Sequence, residues 1–123
     1  MTNVKSITIE SLRIVVARAT KRWPESRGRI ERGALIVLLG GVFELGGDAF
    51  EIQSQSDNDR TYIVTASGCT CPDATWAPRG ICKHRWATDL LTWSGQHQDR
   101  IRERRHRERV SADRVMLAVA GVR

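Results

Sequence analysis

A chain of 123 residues is one small domain with room for extensions, and a hydrophobic share of 41% allows a modest core. The formal charge of +6 favours an anionic partner, nucleic acid foremost, with a merely soluble basic protein as the alternative. No run reaches the ~18 apolar residues of a membrane span, and the first residues lack a basic-then-apolar signal pattern, so a cytoplasmic location with reduced thiols and no membrane partner is expected.

Residues 1–5 carry no pattern and are expected to be loose. From Thr8 to Trp23, Leu12, Val15, Val16, Ala19 and Trp23 recur at three and four, a helical stripe facing a core. Thr8 or Ser11 can cap this helix, with Glu10 in the first turn, and Pro24 ends it. After a short polar linker, a second helix is expected over Arg29–Leu39. Ile30, Ala34, Val37 and Leu38 form one face and Leu35, Ile36 and Leu39 widen it, a breadth that implies burial on more than one side. Gly40-Gly41 stops it.

Three antiparallel strands follow. Val42–Leu45 turns at Gly46-Gly47-Asp48 into Ala49–Ser54, and Ser56-Asp57-Asn58-Asp59 turns it into Arg60–Thr65. The third strand, with Tyr62 and Val64 opposite Ile63, leads across Ala66-Ser67-Gly68 to Cys69.

All the cysteines then fall in one window, Cys69-Thr70-Cys71, a ten-residue loop, and Cys82-Lys83-His84. Side chains two apart on extended chain share a face, so each pair can present two ligands to one ion. Three thiolates and one imidazole complete a tetrahedral Zn²⁺ set with no open position, which is the structural rather than the catalytic pattern. A disulfide fits poorly with an odd cysteine count and a strained i,i+2 ring, and a redox C-x-C motif leaves Cys82 and His84 unexplained. The loop Pro72–Ile81 has too few apolar residues to hold a shape without a metal.

This C-x-C, variable loop, C-x-H pattern resembles the SWIM zinc finger, in a small stand-alone form of a bacterial or phage kind. The approach strand Arg60–Thr65, the Cys71-Pro72-Asp73 turn and a helix from Ile81 to Trp93 stand where that family places its ββα elements. The resemblance covers roughly residues 42–93 and implies roles in binding DNA or protein partners.

The helix Ile81–Trp93 carries Trp86, Ala87, Leu90, Leu91 and Trp93 towards the sheet, and Ser94-Gly95 is expected to end it. Arg100–Arg109 then packs six arginines and two glutamates into ten residues, a block that stays solvated as a helix or contacts phosphate. Beyond it Val110, Val115, Met116, Leu117, Val119 and Val122 are expected to dock on the first helix or a second subunit.

The whole reads as an α+β chain. An N-terminal helical segment (1–41) precedes a three-stranded meander leading into a zinc-bound ββα SWIM finger (42–95), and a basic C-terminal helix or tail (96–123) follows. No phosphate loop or nucleophile motif appears, so no enzyme is expected; Asp73 beside the ligands reads as a turn residue rather than a base. The function expected is a zinc-binding module that binds DNA non-specifically in a transaction such as recombination or transposition. Arg79, Lys83 and Arg85 would cluster by the metal and Arg100, Arg102, Arg104, Arg105, Arg107 and Arg109 would form a second phosphate contact. Trp76 either stacks on an unpaired base or plugs the loop from beneath. The alternative is a protein–protein adaptor for a recombinase, transposase or helicase-like enzyme, acting through helix 29–39 and the apolar C-terminus.

Overall fold

The computed structural model describes residues 2–3, 6–54, 56 and 59–121. Asp57 and Asn58 of the second expected turn, and Val122, lie outside the described residues. The element order is β1 (Thr2–Asn3), α1 (Ile9–Arg22), α2 (Arg27–Leu38), β2 (Val42–Gly46), β3 (Ala49–Gln53), β4 (Thr61–Thr65), β5 (Gly68–Cys69) and α3 (Lys83–Val119). The fold is α+β, as expected.

Thr8 caps α1, its side chain accepting from the Ser11 amide, and the stripe buries Leu12, Val15 and Ala19. Pro24 closes α1 into a 3₁₀ turn, Pro24–Ser26, from which α2 starts directly, two residues earlier than expected.

The strands form one antiparallel sheet in chain order, β1 to β5. The β2–β3 hairpin turns on Gly47 and Asp48, both with positive φ (58° and 62°), as the right-handed twist of the flanking strands favours. Two edges depart from expectation. Thr2–Asn3, expected to be loose, pair with Phe43 and Glu44 of β2. The chain also reverses at Ala66–Ser67 rather than running straight on, so that Cys69 returns opposite Val64 on β5.

Three layers result. Ile36, Ala87 and Leu91 of α2 and α3 meet Val42, Ile52 and Val64 of the sheet, while Ile30, Trp86 and Leu90 meet Leu12, Val15 and Ala19 of α1. Helices α2 and α3 cross at Gly33, where an added Cβ would lie 2.9 Å from the Ala87 amide nitrogen and 3.0 Å from the Lys83 carbonyl oxygen.

The expectation that Ser94-Gly95 ends the last helix is overturned: α3 is continuous over 37 residues, Lys83–Val119. Ser94 is fully buried, His97 Nδ1 lies 3.2 Å from Ser11 Oγ, and Gln98 accepts from the Thr8 amide at 2.6 Å. Packing against α1 on both sides of Gly95 thus outweighs the ~1 kcal/mol that a mid-helix glycine costs. The broad face of α2 is also only partly covered: Ile30, Gly33 and Ile36 are buried, but Leu35, Leu38 and Leu39 stand 47%, 56% and 70% exposed. At the C-terminus Val110, Val115, Met116, Leu117 and Val119 are exposed and do not dock on α1. No described helix is long and apolar enough to cross a membrane.

Candidate metal centre

The β4–β5 hairpin and the first turn of α3 bring four side chains to one point. Cys69 ends β5. The backbone beyond it stays extended because Thr70 is held to β4 at both ends: its amide donates to the Ile63 carbonyl at 3.1 Å and its hydroxyl accepts from the Ile63 amide at 3.0 Å. Cys69 and Cys71, on either side of Thr70, therefore turn to one side. Cys82 is the N-cap of α3 in extended conformation and His84 lies in the first turn. The ligand atoms of Cys69, Cys71, Cys82 and His84 all lie within 4.8 Å of one another. His84 presents Nδ1, 3.8 Å from Cys69 Sγ and 3.9 Å from Cys82 Sγ.

A tetrahedral ion with bonds of about 2.3 Å to sulfur holds its ligands about 3.5–3.8 Å apart, so this group needs only a small contraction to take one. None of the cysteines is in a disulfide. The cluster favours anionic sulfur at one position. The Cys82 thiol is pulled down to about 3, first by the hydrogen bond from Cys69, then by His84 and the Arg85 amide, against burial. Cys69 is pushed up because it keeps the shared proton, and Cys71 is pushed up chiefly by burial. A cation in their midst would replace that proton sharing and let all three sulfurs ionise.

The loop between the pairs is compact. Two 3₁₀ turns, Pro72–Thr75 and Pro78–Gly80, fold it, and Ala77 is buried with Cys71 and Cys82. Its outer tie is a pairing the sequence did not suggest. Arg29 of α2 donates from Nε and Nη2 to the two carboxylate oxygens of Asp73, at 2.9 and 2.8 Å. Asp73 is thus more than a turn residue: the Arg29 fork occupies its side chain and holds the carboxyl below its usual value of 3.8.

Because that shift is downward, the pair supports the fold above about pH 4 and its contribution is lost only as the pH falls through the lowered Asp73 value. A double-mutant cycle with Arg29→Ala and Asp73→Asn, read by thermal melts at neutral pH, is expected to give a coupling of about 1 kcal/mol, allowing for partial exposure to water.

Tyr62, from β4, packs its ring 4.6 Å from the His84 ring. The alternation that puts Tyr62 on the Val64 face of β4 was the available signal for this contact. His84 Nε2 is buried with no hydrogen-bond partner among the described residues.

The other residues singled out from the sequence are spread more widely. Trp76 is 81% exposed, so it is not a plug beneath the loop. Arg79 leaves the metal side and lies over the Trp23 ring, 4.7 Å from its centre. Lys83 and Arg85 are half-buried in the first turn of α3. Arg100, Arg102, Arg104, Arg105, Arg107 and Arg109 are all exposed along α3, with Arg102 3.5 Å from Asp99. Comparison with protein families, curated proteins and solved structures finds no match to the chain.

Proposed function

We propose that the chain is a zinc-binding module of the SWIM kind that binds DNA mainly through phosphates, and is not itself an enzyme. The observation that carries it is the convergence of three sulfurs and one imidazole nitrogen at the root of a helix whose far half presents exposed arginines. Zn²⁺ is the ion that this soft, four-donor set suits, closed on all sides as a structural site is. The hairpin β4–β5, the ligand loop and α3 follow one another in the ββα order that the C-x-C and C-x-H resemblance implies. The arginine block supplies charge without sequence readout, and Trp76 offers an exposed ring in the polar loop between the two ligand pairs. A role in recombination or transposition follows from the same resemblance.

The test is DNA affinity as a function of salt with the zinc-loaded chain. Affinity should fall steeply between about 50 and 200 mM salt, and Arg100→Glu with Arg104→Glu should weaken it at least about tenfold. The exposed Leu35, Leu38 and Leu39 favour a second reading, an adaptor that docks a recombinase, transposase or helicase-like partner. That reading gains if DNA is not bound at low salt and a stoichiometric partner is lost on Leu38→Asp with Leu39→Asp.

A further inference from the structure

Along the C-terminal half of α1, a groove runs between α1 and α3. Its floor is aromatic and apolar: Trp23, at the end of α1, and Trp93 of α3 lie stacked, 6.2 Å between centres and 18° between planes. Arg18 and Arg22, one turn apart on α1, and Arg100 of α3 form its rim. Among the described residues, no carboxylate lines it. The groove between α3 and the N-terminal end of α1 differs, because Glu10 and Glu108 there offset Arg102, Arg105 and Arg109. The tryptophan groove encloses about 310 Å³, at the lower end of small-ligand sites.

Trp23 is where this groove meets the metal loop. Arg22 lies 5.4 Å from its ring centre and Arg79 4.7 Å. Arg79 reaches it from a left-handed backbone (φ 58°) between Pro78 and Gly80, a conformation the folded loop must hold in place. Along α3, Trp93, Arg100, Arg104 and Arg107 recur at seven, four and three residues, so they share one helix face. A single strip of positive charge thus leads from the indole floor out along the helix.

We propose that this groove is a binding site for single-stranded nucleic acid, with a base packed on the Trp23–Trp93 floor and the flanking phosphates met by Arg18, Arg22 and Arg100. The inference rests on the DNA-binding reading and narrows it to unpaired strands, since a base held in a duplex cannot reach a floor between two helices. The combination of indoles and guanidinium groups without carboxylates matches both halves of a nucleotide: a flat π-face and an anionic backbone.

The test uses the full zinc-loaded chain and a fluorescein-labelled oligothymidylate of about twelve nucleotides, within the ~4–16 nucleotides of known single-strand sites. A strand of equal length without bases and a duplex of equal length are the comparisons. The oligothymidylate should bind about 5- to 150-fold tighter than the abasic strand. Arg18→Ala with Arg22→Ala, both exposed and so compatible with the fold, should weaken it about tenfold and reduce the logarithmic salt slope by about 1.4. Circular dichroism and metal content report whether that variant is intact. Equal binding of the abasic strand overturns the proposal, as does parent-like binding by the Arg18/Arg22 variant. If the duplex binds best and only Arg100→Glu with Arg104→Glu weakens it, the groove assignment falls and DNA binding stands. If no strand binds at low salt, both fall.

Discussion

Replacing Cys82 with alanine is expected to abolish metal binding and to unfold the middle of the chain. Cys82 is fully buried, caps α3, and lies in one buried cluster with Cys71 and Ala77. Little else holds that region: the loop Pro72–Gly80 contributes Ala77 to the interior, the Arg29–Asp73 pair at its edge, and short 3₁₀ turns. Structural zinc sites contribute apparent binding free energies of about 10–16 kcal/mol, as large as the total stability of a domain this size. Elemental analysis of the purified variant should show no bound zinc. Hydrogen exchange should show the segment from β4 to the first turn of α3 opening first, while α1 and the centre of α3, joined by Leu12, Val15, Trp86 and Leu90, keep more of their helicity. A chelator should do the same to the parent chain. A zinc-free parent with an unchanged melt would remove the metal from the account altogether.

A valine at Gly33 is expected to be the most damaging single substitution away from the ligands. The crossing of α2 over α3 brings two backbones together there, and the atoms that a side chain would meet are the Ala87 amide nitrogen, the Lys83 carbonyl oxygen and the Trp86 Cβ. None is the end of a flexible side chain that could step aside. The helices must separate instead, and Trp86, Ala87, Ile30 and Ile36 beside the crossing lose their packing together. Overpacking costs about 1–3 kcal/mol even where neighbours can adjust; here the expected loss is at the top of that range or above it. Gly33→Ala should be milder, because its helix propensity returns up to about 1 kcal/mol. Denaturant melts of the two variants give the comparison, and a Gly33→Val variant as stable as the parent would contradict the close approach. Because His84 lies one turn from this crossing, zinc affinity should weaken alongside stability.

What was legible in the sequence was local. A cap at Thr8 or Ser11 on a striped helix, a hairpin turn at Gly46-Gly47-Asp48 and the gathering of three cysteines and one histidine from two i,i+2 pairs are each set by a few neighbouring residues, and the structure shows Thr8 as the cap, the turn on Gly47 and Asp48, and the four side chains together. What escaped was long-range. Arg29 and Asp73 are 44 residues apart, and nothing in either neighbourhood marks the pairing. Nothing in the sequence of α2 marks Gly33 as a close crossing until α3 is laid across it. Ser94-Gly95 carries a helix-stop signature, which contacts with residues some ninety positions away override. The turn at Ala66–Ser67 lacks the Asn-Gly type of marker that would have announced β5; Thr65 and Ser67 hydroxyls 2.8 Å apart support it instead.

The unbroken α3 sets the outline of the molecule. From Arg102 to Val119 every described residue is exposed, so about 27 Å of helix stands clear of the three layers. A compact chain of 123 residues has a radius of gyration of about 14 Å; this one must scatter and sediment as something longer, a small head carrying a charged mast. Any partner that grips the mast is held at a distance from the head, in a direction set by the turn in which Cys82 and His84 sit.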